Sequence, residues 1–240
     1  MRGIDIMMKR WNKLEAAWLF LGVFIVIGAI IYKHLIVKDF STNLFFVLAS
    51  DISAICGVIY VIGIAKQEKK AYLFGMANVL LYALVVYNKG LYLSTTYNLF
   101  YSFPIYIYGY IYWSRLENDE DLGVKEFSLK QRLLLVVGII VMVFALAFVS
   151  NNLLGGNKAV VDSIVSVLVC VATFLVAKKY IEQWVLFMIS NFMGIILFLP
   201  NGTHGMESID LLAMWSVYFI NSIYGYFAWK RGAKKEIENA

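Results

Sequence analysis

Apolar runs close to the ~20 residues needed to cross a bilayer core recur along the whole chain, separated by short polar breaks. They predict eight membrane-spanning helices: Ala16 to Tyr32, Leu44 to Ala65, Ala71 to Tyr87, Tyr92 to Trp113, Leu133 to Val149, Val160 to Ala177, Glu182 to Leu199 and Ile209 to Trp229. No polar stretch leaves room for a folded soluble domain, so function is expected within the membrane. Only 116–129 forms a sizeable hydrophilic stretch between spans, with Glu117, Asp119, Glu120, Asp121 and Glu126. It reads as a solvated connector, because its acids lack the fixed glycine-turn spacing of a calcium loop.

The pattern then repeats. YIYGYIYWSR, Tyr106 to Arg115, is echoed by SIYGYFAWKR, Ser222 to Arg231. Asn78 matches Asn191, Asp51 matches Asp162, and Asn88 before Gly90 matches Asn201 before Gly202. Spans two to four thus resemble spans six to eight. With one span between them, two halves of three spans each cross the membrane in the same sense, the parallel-repeat plan of some transporters. The expected fold is all-α and integral to the membrane. Its parts are an N-terminal stretch with an additional first span (1–42), a first three-helix repeat (43–115), the acidic loop and linker span (116–159), a second repeat (160–231) and a tail (232–240). A cavity is expected between the halves.

Composition agrees with the pattern: 61% of residues are hydrophobic and 15% charged, and the mean hydropathy is +0.73. Soluble domains carry about a quarter charged residues. Net charge is +5, yet the basic residues lie in short inter-helix segments rather than in one patch, so topology explains them better than nucleic acid does. With the amino terminus inside, 17 of the 21 Lys and Arg fall on the cytoplasmic side, leaving only Lys33, Lys38, Lys89 and Lys158 outside. That split places both termini in the cytoplasm. The first apolar run has no convincing cleavage site and reads as a span. Cys56 and Cys170 sit apart in apolar segments and read as small buried hydrophobes.

Few side chains remain for chemistry. Trp184, Phe187 and Asn191 stand at three-then-four spacing on one helical face, an aromatic stripe ending in a carboxamide that suits a flat polar ring. A buried carboxamide needs a partner, since leaving it unpaired costs roughly 1 to 3 kcal/mol. Asn78 and Asn191 sit near the middle of their spans and serve either a midplane site or interhelical bonding. The aromatics on its face favour the site for Asn191. The last span of each half adds Asn98, Tyr101 and Tyr106, then Trp215, Tyr218 and Asn221, with both Asn98 to Tyr101 and Tyr218 to Asn221 three apart. Pro104 is expected to kink its span and free a carbonyl, Pro200 to end one. Gly109 and Gly225 are expected at close helix contacts. Trp113 and Trp229 read as headgroup-level belts, and Asp51 and Asp162 as caps of helix amino ends. His34 and His204 fall in outer loops without the partners of a catalytic or metal site. No Ser-His pair, His cluster or paired deep carboxylates supports an intramembrane enzyme, and no cofactor or metal is expected.

With the Trp-to-Asn helix, the Asn and Pro of the fourth span and the Tyr-Gly-Tyr-x-x-Trp ending, the chain resembles the PnuC family of bacterial nicotinamide riboside transporters. The resemblance covers about Asn43 to Arg231, with the first span as an addition to a seven-span core similar to SWEET transporters. The family's Trp-x-x-Trp-x-x-x-Asn signature stands here as Trp184, Phe187 and Asn191, with Phe for the second Trp. Tyr106 stands where a glutamine is common. The resemblance implies a protein of the bacterial cytoplasmic (inner) membrane, surrounded by membrane lipid, that takes up nicotinamide riboside by facilitated diffusion. A separate kinase would trap the product. It also implies a homotrimer, with Trp184, Phe187 and Tyr101 stacking on the pyridinium ring and Asn191, Asn98 and Asn221 binding carboxamide and ribose. Thiamine, riboflavin or a deoxynucleoside are alternative substrates within the family. A non-transporting scaffold or receptor is the alternative of another class.

Overall fold

A computed structural model describes residues 13–37, 43–116, 124–154, 158–199 and 208–238. His204, Pro200, Asn201, Gly202 and the acids at 117–121 lie outside them. The described chain is helical, with no strand. In order come α1 (Lys13–Tyr32), α2 (Leu44–Ala65), α3 (Ala71–Asn88), α4 (Tyr92–Tyr97), α5 (Phe103–Leu116), α6 (Leu129–Val149), α7 (Ala159–Ala177), α8 (Gln183–Phe198) and α9 (Ile209–Glu238). Six helices are long and apolar enough to cross a membrane, and α8 is a shorter apolar one.

The fourth predicted span is helical throughout but changes pitch. Between α4 and α5 the run Asn98–Ser102 is π-helical, and the Phe103 amide reaches back five residues to the Asn98 carbonyl. Pro104 has no N–H and its ring crowds the carbonyl four residues back. The wider turn just before it makes that room. The residue expected to kink the span therefore widens it.

Each half begins with a helix that packs on the last helix of the other half: α2 lies against α9, and α7 against α4 and α5. Within the halves α3 packs on α2, α4 and α5, and α8 joins α7 to α9. The two remaining helices stay at the edge. α1 lies along α2 and α9, and α6 along α7. No residue of α6 is buried, and Leu134 and Phe144 are 74% and 73% exposed. An apolar face of that size is excluded from water, which fits a multi-pass membrane protein.

Three expectations are corrected. α6 starts at Leu129 rather than Leu133 because Ser128 and Gln131 form a capping box, the reciprocal side-chain bonding that S-x-x-Q signals. The described part of the connector does not float in solvent. Lys125 pairs by backbone bonds with Lys179 and Ile181, and the Glu182 carboxylate accepts from the Phe127 amide and Arg132 Nε, each at 2.9 Å. Trp113 and Trp229 are not belt residues. They are 3% and 1% exposed, and Trp229 Nε1 donates to the Ala65 carbonyl at 3.2 Å.

Candidate functional site

A cavity lies between the halves, near the middle of the helices. α2 contributes Tyr60, Val61 and Ile64, α3 Asn78, Val79 and Tyr82, and the α4–α5 junction Tyr97, Asn98 and Tyr106. From the other half come Trp184, Phe187 and Asn191 of α8 and Trp215, Tyr218 and Asn221 of α9. About 60 Å³ of the cavity is open to the centre of a water molecule, several times the ~10–15 Å³ that one water requires. None of the described lining side chains is charged.

Rings line the cavity in two clusters. In one, Tyr60 lies 4.7 Å from Tyr106, and Trp184 stands edge-on to Trp229 at 5.6 Å. In the other, Trp215 lies edge-on to Tyr218 at 5.6 Å and to Tyr82 at 6.2 Å. Glycines let the two tryptophans in: a Cβ at Gly225 would fall 2.5 Å from Trp184 Cη2, and one at Gly194 2.5 Å from Trp215 Cε3. Gly109 meets Tyr72 in the same way, 2.5 Å from Cζ, so both Tyr-Gly-Tyr glycines seat a ring of their half's middle helix. Trp184 Nε1 and the Tyr218 hydroxyl, both buried, have no hydrogen-bond partner among the described residues. Such orphans carry a desolvation penalty of about 1–3 kcal/mol, which a bound polar solute would relieve.

The four carboxamides are already held. Asn191 Nδ2 donates to Ser222 Oγ at 2.9 Å, and Asn78 Nδ2 to the Ser53 carbonyl at 2.9 Å and Oγ at 3.0 Å. Asn98 Nδ2 reaches the Ser94 carbonyl one turn back at 2.7 Å, and Asn221 Nδ2 the Val61 carbonyl of α2 at 2.8 Å. Site and helix bond are therefore one arrangement: each bond orients an amide, and those of Asn191 and Asn221, with one donor bond each, keep a second N–H available.

The family described as "Nicotinamide mononucleotide transporter" matches residues 47–231. The chain belongs to this transporter family. It is 30% identical over 232 residues to the nicotinamide riboside transporter PnuC of Neisseria mucosa, covering 94% of this chain and 84% of that one. The Haemophilus influenzae protein of the same name is 26% identical, over 94% and 93% of the two chains. The crystal structure of the vitamin B3 transporter PnuC has a TM-score of 0.76 and 27% identity, covering 94% of each chain. Transport, not enzymatic turnover, is the activity of this family.

Nine of the ten residues singled out in the sequence line the cavity of this family member: Trp184, Phe187 and Asn191, Asn98 and Tyr106, Trp215, Tyr218 and Asn221, and Asn78. Tyr101 does not. It is half-buried, with its hydroxyl against the Cys170 thiol. Three-residue spacing aligns two side chains only on an α-helix, and the π-turn that holds both Asn98 and Tyr101 rotates them apart. Tyr60, Tyr82 and Tyr97 were not picked out, although each is a mid-span tyrosine like Tyr218.

Asp51 and Asp162, expected to cap helix amino ends, take other roles. Asp51 lies well inside α2, whose cap is Asn43. Lys33, on a π-turn that prolongs α1, contacts Asp51 and lies 3.0 Å from Asp210. His34, expected without an acidic partner, places Nε2 2.7 Å from Asp51 Oδ2. Asp162 sits in the first turn of α7, fully buried, and accepts from the Ser94 hydroxyl of α4.

Proposed function

We propose that the chain takes up nicotinamide riboside through this cavity. The observation that carries the reading is an uncharged lining of aromatic faces and oriented carboxamides. A pyridinium ring is a flat cation that aromatic faces attract, and the carboxamides offer partners for an amide and ribose hydroxyls. The relatives' name supports the riboside. The lining argues against the mononucleotide of the family's description, because its phosphate would be buried without a cation, a cost of several kcal/mol.

The packing of each half's first helix on the other's last supports two parallel three-helix repeats, related by a pseudo-twofold axis and joined by α6, with α1 as the addition. A cavity lined from both halves is what alternating access requires, each half moving against the other around one site. Facilitated diffusion fits a lining without a charge to couple, and a kinase would then trap the riboside inside. The distribution of Lys and Arg supports cytoplasmic termini in the inner membrane, and the resemblance supports a homotrimer, which a mass measurement in detergent tests.

Flux into proteoliposomes decides the substrate. Saturable uptake of labelled nicotinamide riboside is expected, well above that of the mononucleotide, and strongly reduced in Asn191→Ala. Equal mononucleotide flux would overturn the substrate, and no saturable flux of either would overturn the transporter.

A further inference from the structure

α1 precedes the family match, which begins at residue 47, and most of its surface is exposed. Yet Trp18 of α1 donates its indole N–H to Asn221 Oδ1 at 3.2 Å. On its other side Asn221 donates from Nδ2 to the Val61 carbonyl at 2.8 Å. Asn221 is fully buried, and both it and Val61 line the cavity.

An indole nitrogen only donates and a backbone carbonyl only accepts. Together they settle which end of the amide is oxygen, an orientation that an isolated carboxamide leaves open. They also fix its plane between α1 and α2. One N–H and one lone pair remain for whatever occupies the cavity. We propose that Trp18 is a positioning residue for the substrate, acting through Asn221, so that the helix added to the seven-span core helps to build the site. This rests on the reading that nicotinamide riboside binds in this cavity.

The position suits a clean test. Trp18 is only partly buried, so Trp18→Phe keeps a ring and removes the N–H. In its place the benzothiophene analogue of tryptophan, which has the shape of an indole but no N–H, repeats the test with packing unchanged. Calorimetric binding of nicotinamide riboside to the purified full chain is measured for wild type, Trp18→Phe, Asn221→Ala and the double variant. Loss of one oriented hydrogen bond predicts about two- to tenfold weaker binding for Trp18→Phe and for the benzothiophene variant. In the Asn221→Ala background, removing the N–H is expected to change nothing further, since a residue that acts through another has no effect once that other is gone.

Unchanged affinity in both N–H-less variants would overturn the proposal. So would the same loss with and without Asn221, which marks a general effect on folding rather than on the amide. Wild-type protein that binds no nicotinamide riboside would overturn the substrate reading and this inference with it. Wild-type binding with N–H-less variants at wild-type affinity overturns the inference alone.

Discussion

Where α2 meets α9, the Lys33 ammonium is buried between the carboxylates of Asp51 and Asp210, with the Ser50 hydroxyl donating to Asp210. Where α4 meets α7, the matching Asp162 accepts from the neutral Ser94 hydroxyl, with the Ser166 hydroxyl also beside it. One sequence pattern thus yields two different seams. The difference comes from α1, which reaches only the first seam, with Lys33 at one end and Trp18 on Asn221 further along. A helix outside the repeats breaks their symmetry with a single charge.

The largest effect is expected at the cation. Lys33→Met leaves Asp51 and Asp210 facing each other in a buried site, and removing one partner of a buried ion pair costs about 3–5 kcal/mol. For a chain of this size that is a fall in Tm on the order of 10 °C, read by thermal denaturation in detergent. Adding Asp51→Asn to Lys33→Met is expected to restore part of it, since one unpaired charge is then gone. A Lys33→Met variant that melts with the wild type would erase the contrast between the seams.

A smaller effect is expected from steric crowding on the same seam. A Cβ at Gly57 of α2 would strike the Tyr218 hydroxyl of α9, so Gly57→Ala is expected to cost about 1–3 kcal/mol and to weaken nicotinamide riboside binding by displacing a lining ring. Because the nearest obstructing atom is the hydroxyl oxygen, Tyr218→Phe in the same chain should recover part of the stability, with Asn78 Nδ2 at 2.8 Å and Tyr218 Cζ at 2.9 Å from the added Cβ still to give way. On the other seam, Ser94→Ala deprives the buried Asp162 of that hydroxyl donor for about 1–3 kcal/mol. Asp162→Asn keeps an oxygen for Ser94 and should cost less than Ser94→Ala. A larger loss from Asp162→Asn would show that this seam, too, depends on a charge.

The helices were legible in the sequence because bilayer length is a local signal. Span two was placed at Leu44 to Ala65, the same residues as α2. The Trp184, Phe187 and Asn191 face was legible for the same reason: α8 is a regular α-helix, so spacing gave direction. Tyr101 was misplaced where regularity failed, at a π-turn that no spacing rule for α-helices contains. Asp51 and His34 were misread because their partners come from another helical segment: Lys33 and His34 reach Asp51 across 18 and 17 positions, beyond the three- and four-residue spacings that a helical pattern records. Trp113 and Trp229 sit near span ends, where lipid headgroups and the packed end of a bundle carry the same sequence signature.

The smallest effect is expected at Lys178, a cation where α7 meets α5. Lys178, just past α7, donates to the Tyr108 hydroxyl of α5 at 2.6 Å, and its ammonium lies 5.0 and 5.1 Å from the Tyr108 and Tyr112 ring centres. The bond to the Tyr108 hydroxyl raises its pKa against a small opposing effect of burial. The charged form is therefore favoured by folding, and the resulting stability is fully present at neutral pH and up to the unfolded value of about 10.4. It is lost only as pH rises through the higher folded value. Lys178 is only partly buried, water and salt screen it, and Lys178→Met should change stability by no more than about 0.5 kcal/mol at neutral pH. Lys33→Met and Lys178→Met each remove one ammonium from one seam, so melting both variants side by side isolates burial as the variable. Equal losses would mean that position within the membrane, not desolvation, sets what a seam cation is worth.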